Sequence, residues 1–226
     1  MLILLAFLLP ASLPAQQGTT HDPAVDLGAF TKELMIMRLE DNHTQVVIWF
    51  PFDFFVASGV ADSGRPKAEV EQELDFLKTY LTVMVQNSID KPDGGSVYAS
   101  EAEVRARAAL RLEDGSELLP LRNPPPKVAA LMAAMKSFIS AEGDASSANM
   151  HILVFPAVTK QGAPVVQTAR KDKLTLMLKA NGSYKAAIFV WRTPFDAAVE
   201  GAVCPKCRER MSPKWSYCPY DGQKLP

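Results

Sequence analysis

The sequence predicts an α+β protein: a mainly antiparallel sheet with two amphipathic helices, followed by a small metal-stapled module at the C-terminus. Three observations carry this. Helix-period and strand-period stretches are mixed through the body, the later strands are joined by hairpin dipeptides, and all three cysteines fall between Cys204 and Cys218.

The 226 residues suffice for one full-sized domain with a small appendage. Hydrophobic content of 48%, charged content of 22% and a formal net charge of −1 are ordinary for a globular chain and give no overall pull toward nucleic acid. With no cysteine before Cys204, the body cannot be a disulfide scaffold.

Met1–Leu9 is an uncharged apolar run closed by Pro10 and followed by Ala11 to Ala15, the composition of a secretory signal peptide over residues 1–15. The run is shorter than the roughly 20 apolar residues a bilayer core requires, so no stable transmembrane span is expected once the signal is removed. An exported location follows, periplasmic or extracellular, with a short uncleaved membrane anchor as the alternative. Residues 16–26 are polar and read as a flexible lead-in.

The body spans residues 27–196. Residues 27–39 fit a strand or a helical stripe equally. Val46 to Phe50 is a continuous β-branched and aromatic run, the pattern of a strand covered on both faces. Pro51 has no amide to give a ladder, so a short helix over 51–56 follows; it lays Phe52, Phe54 and Phe55 back against Trp49 and Phe50. The alternative for this aromatic group is an exposed patch for a partner or membrane. Asp62 or Ser63 with Pro66 opens an amphipathic helix with a stripe at Val70, Leu74, Leu77 and Leu81; it ends near Thr79 with Tyr80 to Asn87 taking over as a strand, or it continues as one helix to Ile89.

Val104 to Leu112 alternates apolar residues with Arg105, Arg107 and Arg111, which predicts a strand with one basic face. Asp114-Gly115 turns it back into Glu117 to Leu121. After the stiff Pro124 to Pro126 connector, Val128, Leu131, Met132, Met135 and Phe138 mark a second amphipathic helix ending near Gly143. Met150 to Phe155 reads as a buried strand. Leu174, Leu176 and Leu178 lead into a type I′ turn at Asn181-Gly182, and Tyr184 to Trp191 returns.

The tail reads Cys204-Pro205-Lys206-Cys207, then ten residues, then Cys218-Pro219-Tyr220-Asp221-Gly222. Two cysteines two apart on a tight turn direct both sulfurs to one side, and two such knuckles facing each other complete a tetrahedron around Zn²⁺. The segment resembles the zinc ribbons of many bacterial proteins, whose halves each read Cys-Pro-x-Cys-Gly. The resemblance covers about a tenth of the chain. It implies a structural zinc held by Cys204, Cys207, Cys218 and Asp221, in a module over 203–226 too small to fold without a staple. Arg208 stands at the first glycine position and Asp221 at the fourth cysteine; an aspartate carboxylate is itself a zinc ligand.

Two other readings of the cysteines stay open. Outside the cytoplasm two of them can pair as a disulfide, and Cys-Pro-x-Cys is similar to the motif of thiol-disulfide oxidoreductases, although too little chain follows Cys207 to build that fold. Lys206, Arg208, Arg210, Lys214 and Lys224, interleaved with Trp215, Tyr217 and Tyr220, make a solvated basic rim with aromatics shielding the metal, or a surface for a polyanion or protein.

No phosphate loop, His-Glu-x-x-His or Gly-x-Ser-x-Gly motif occurs in the chain. The whole arrangement resembles bacterial exported proteins that end in a zinc ribbon, which implies location and modularity. Two functions follow as expectations: a non-enzymatic envelope protein that binds a protein partner, or an extracytoplasmic enzyme using Asp53, His151 or the arginine face.

Overall fold

A strand that is apolar at every position needs cover on both sides, and Val46–Phe50 has it. The computed structural model describes residues 25–142, 146–199 and 201–226; the expected signal peptide lies outside them. The run sits in β2 (His43–Phe50), paired antiparallel with β1 (Met35–Glu40) and β3 (Tyr80–Asp90). The other side of β3 is shared by β4 (Ser96–Tyr98) and β7 (His151–Pro156), completing a five-stranded sheet. The four-stranded second sheet runs β6 (Glu117–Leu118), β5 (Ala108–Arg111), β8 (Asp172–Leu178) and β9 (Ala187–Thr193). Every strand pair is antiparallel.

Three layers result. Trp49, Val47, Val83, Val85, Leu153 and Phe155 share the face of the first sheet that meets the second, where Trp49 contacts Trp191 edge-on at 6.0 Å. On the opposite face Phe50 packs against Phe54 and Phe55 of α2 (Phe52–Ser63). Helices α3 (Lys67–Glu73) and α5 (Pro126–Glu142) join that helical layer; Val128 and Met132 of α5 are buried. The aromatic group around Pro51 is therefore core, as the strand-then-helix reading expects.

Residues 27–39, ambiguous in sequence, divide into α1 (Leu27–Leu34) and β1 with no loop between. The Asp26 carboxylate caps α1 at the Ala29 amide, 2.9 Å away. Trp191 Nε1 then donates to the Leu34 carbonyl at 2.7 Å, which pins the helix-to-strand joint to the second sheet.

The described residues hold five α-helices, more than the two expected, and three local readings change. The helix after Pro51 runs to Ser63, and Gly64 ends it at φ 64° with its amide on the Val60 carbonyl; what reads as a helix opening at Asp62-Ser63 is a helix closing. The strand expected over Val104–Leu112 begins only at Ala108. Its first half is α4 (Glu101–Arg107), opened by a capping box in which Ser100 and Glu103 satisfy each other's amides. Asn181 pairs with Tyr184, so the last hairpin turns on Gly182-Ser183. Only Gly182 has positive φ there, as a type II′ turn requires, in place of the type I′ expected.

Trp191→Phe keeps most of the packing but leaves the buried Leu34 carbonyl without its donor. The expected cost is about 1–3 kcal/mol, read as a lowered urea midpoint at unchanged m-value.

Candidate metal centre

The two C-terminal knuckles are built alike. In the first, the Arg208 amide bonds the Cys204 carbonyl at 2.9 Å and the Cys204 amide bonds the Glu209 carbonyl at 3.0 Å. In the second, Gly222 bonds Cys218 at 3.0 Å and Cys218 bonds Gln223 at 2.7 Å. Short bridges flank each, Val203 to Arg210 and Tyr217 to Lys224, and the outermost pairs, Met211 amide to Ala202 carbonyl and Leu225 amide to Ser216 carbonyl, also correspond. Asp221 thus occupies in the second knuckle the place of Cys207 in the first.

This geometry brings Cys204, Cys207, Cys218 and Asp221 together, with one ligand atom from each lying within 4.8 Å of every other. Cys207 Sγ and Cys218 Sγ are 3.7 Å apart, and Cys204 Sγ is 3.5 Å from Asp221 Oδ2. A tetrahedron with Zn–S bonds of about 2.3 Å and a Zn–O bond of about 2.1 Å has edges of roughly 3.8 Å between sulfurs and 3.6 Å between sulfur and oxygen. The observed separations fit those edges. They are far longer than the roughly 2.05 Å of a disulfide, and the three cysteines are unpaired.

Amides tune the donors. Burial opposes ionisation of Cys204, but the Cys207 and Lys206 amides and the two neighbouring thiols outweigh it, and its pKa lies below the ordinary thiol value. The Glu209 amide lowers the pKa of Cys207, yet burial and the thiols of Cys204 and Cys218 push it up to about 11. The Gln223 amide, 2.9 Å from Asp221 Oδ1, leads the groups that hold that carboxyl below its usual range. The cluster thus favours ionisation of Cys204 and opposes that of Cys207.

Cys204, Met211, Cys218 and Leu225 form a core of their own. Met211 and Leu225, buried at corresponding places in the two halves, are what covers the cluster. The aromatics expected to shield it do not: Trp215, Tyr217 and Tyr220 are 47%, 60% and 74% exposed. Gly201 lies against the Met211 backbone, where a Cβ would collide with the carbonyl oxygen. The module is held to the body by Lys214, whose Nζ is 3.0 Å from Glu33 and 3.3 Å from Asp196, while Ser212 Oγ donates to Asp196 at 2.8 Å. Beside this junction a shallow pocket of about 270 Å³ is floored by Ile36, Trp191 and Phe195.

The residues considered for catalysis do not converge. Asp53 is exposed in the first turn of α2. His151 is buried on the face toward the second sheet, its Nε2 2.9 Å from the Ala99 carbonyl. The expected arginine row does not exist. Arg105 bonds the Leu121 carbonyl from α4, and Arg111 is exposed on β5. Arg107 is buried at the end of α4, bonding the Lys179 and Lys185 carbonyls and stacking on Tyr184 at 5.1 Å.

His151 belongs instead to a polar row. His43, Gln45, Asn87 and His151 occupy one end of the same sheet face as Trp49. Both His Nδ1 atoms, Gln45 Nε2 and both amide atoms of Asn87 are buried without a hydrogen-bond partner. Sequence reading missed this row because its members are scattered singly through apolar strands.

The chain matches no protein-family model and no curated protein. Among solved structures it is similar to the crystal structure of a DUF4426 family protein from Pseudomonas aeruginosa PAO1. The identity is 9% and the TM-score 0.33, over 71% of this chain and 94% of that one.

Two expectations follow. Arg208 holds φ 62° at the glycine position of the first knuckle, a conformation that costs a residue with a Cβ about 1–2 kcal/mol. Arg208→Gly should stabilise the module by about 0.5–1 kcal/mol after the extra freedom of glycine in the unfolded chain is deducted, read as slower reaction of its thiols with a disulfide reagent. Burial leads the influences that hold His151 below the ordinary imidazole value of 6.5. As pH falls through that value the unfolded chain takes up the proton first, so stability declines with acidification. His151→Gln should flatten the slope of unfolding free energy against pH in that range.

Proposed function

We propose that this is an exported envelope protein that binds a protein partner and performs no catalysis itself, with its C-terminal residues folded as a structural zinc ribbon. The observation that carries the metal reading is the tetrad: three sulfurs and a carboxylate within 4.8 Å of one another, with Cys207–Cys218 and Cys204–Asp221 at tetrahedral edge lengths and backbone amides directed at the donors. Sulfur-rich tetrahedral sets favour Zn²⁺ over the hard cations, and four protein donors leave no position for substrate, which makes the site structural. The export reading rests on the composition of residues 1–15. The binding reading is supported by the dispersal of Asp53, His151 and the arginines, and by the exposure of Trp215, Tyr217 and Tyr220 beside Lys206 and Lys224.

Protein purified without reductant should carry one zinc per chain by elemental analysis and titrate three thiols only after chelation. A disulfide with one free thiol and no metal would overturn the ribbon. Asp221→Cys should bind zinc at least about tenfold more tightly by competition with a chromogenic chelator, and Cys218→Ser should lose the metal while the body keeps its circular dichroism.

A further inference from the structure

Strand β1 ends the five-stranded sheet and pairs only with β2. Among the described residues, the Met35 amide bonds the Thr31 carbonyl of α1, and no further backbone hydrogen bond reaches the outer side of β1. Proteins that stay monomeric protect such an edge with lysine, inward-pointing charge, proline, a bulge or a covering loop. Among the described residues β1 has one of these, Arg38, whose charge is turned inward over Phe189, and no lysine, proline or bulge. Its register with β2 is unbroken from Met35 to Glu40, and the side chains on the face away from the second sheet are Met35, Met37 and Leu39, which are 40%, 54% and 71% exposed. The other face is engaged, since Arg38 stacks over Phe189 at 5.4 Å and Ile36 packs against the core.

We propose that β1 is a homodimer edge: two copies pair antiparallel through β1 about a two-fold axis at Met37, forming one continuous sheet across both subunits. The register follows from symmetry. A two-fold that makes two edge strands antiparallel stands perpendicular to the sheet and keeps each face on its own side, so every residue meets a partner of the same parity. Centred on Arg38, the pairing sets two guanidinium groups opposite each other, which is repulsive. Centred on Ile36, it leaves Leu39 without a counterpart in the strand; centred on Leu39, it runs Met37 against Asp41, beyond the end of β1. Centred on Met37, it places Met35 opposite Leu39 of the partner subunit, Met37 opposite the partner's Met37 and Arg38 opposite the partner's Ile36. All three exposed apolar residues are then covered from both sides, and no like charges face each other. Methionine adapts readily at such a seam. The occupant this edge fits is therefore a second copy of the same strand, and the inference is independent of metal in the ribbon.

Sedimentation equilibrium of the purified protein at micromolar concentration should give twice the mass of one chain. Met37→Lys puts two ammonium groups together on the axis and should halve that mass with unchanged circular dichroism, because Met37 is exposed within its own subunit. Met35→Lys combined with Leu39→Glu sets opposite charges across the axis and should stay dimeric, dissociating as salt is raised. Leu119→Lys, at an exposed position away from β1, should leave the mass unchanged. A single-chain mass throughout the micromolar range, a dimer that survives Met37→Lys, or a monomeric charge-swap variant would each overturn the proposal.

Discussion

The architecture depends on β3 being buried on both faces. Leu81 to Ser88 is buried without a break, and the strand uses both of its edges, one against β2 and the other against β7 and β4 in succession. A strand so placed cannot turn one face to water, so the fold must supply a layer on each side: the second sheet on one, helices α2, α3 and α5 on the other. Outward from β3 the cover thins. β2 is still buried at every position but Thr44, and β1 is almost wholly exposed. The exposed methionines are the place where the helical layer runs out, not an isolated accident of composition.

What was legible in sequence follows the same gradient. Val46–Phe50 and Met150–Phe155 declare themselves because a doubly covered strand has only one solution, a continuous apolar run. Pro51 fixes where the first of these stops. The reading fails where two signals compete within a few residues. Val104 to Leu112 alternates well enough to pass for a strand, yet Ser100-Glu101-Ala102-Glu103 just before it is a capping-box sequence, and satisfying helix amides there outweighs a period-two pattern whose first half is α4. Gly64 was a stop signal hidden among start signals. At Asn181-Gly182 the residue types announce a tight hairpin, but which two of them sit at its centre depends on the register of Leu178 with Ala187, which the turn residues do not encode.

The metal tetrad was legible for a different reason: its spacing is local chemistry and needs no tertiary context. In sequence the equivalence of the two halves shows at the ligands and their flanking residues; the structure extends it to backbone bonds and to Met211 and Leu225, residues with no ligand character. The two departures from the repeated pattern differ in consequence. Arg208 keeps the backbone of its knuckle and costs only local strain. Asp221 keeps its position and its amide donor, but puts a hard donor where the repeated pattern has a soft one.

The two ends of the sheet sandwich are unequal, and the C-terminal module is fastened to the stronger one. At that end Trp49, Trp191, Phe195 and Phe30 interlock, Trp191 ties down Leu34, and the next residue back, Glu33, accepts the Asp196 and Ala197 amides and pairs with Lys214 of the module. A path of direct contacts thus runs from the deepest aromatic core to the C-terminal module. At the other end the same sheet face carries the polar side chains of His43, Gln45, Asn87 and His151 in place of an aromatic cluster. The hairpin over that end is held by hydrogen bonds from Arg107 and His43 to its carbonyls, with little apolar interlock. Opening of the sandwich should therefore begin at the polar row and reach the C-terminal module last. A module with a core of four side chains gains from that placement, because its anchor is the part of the body that yields least.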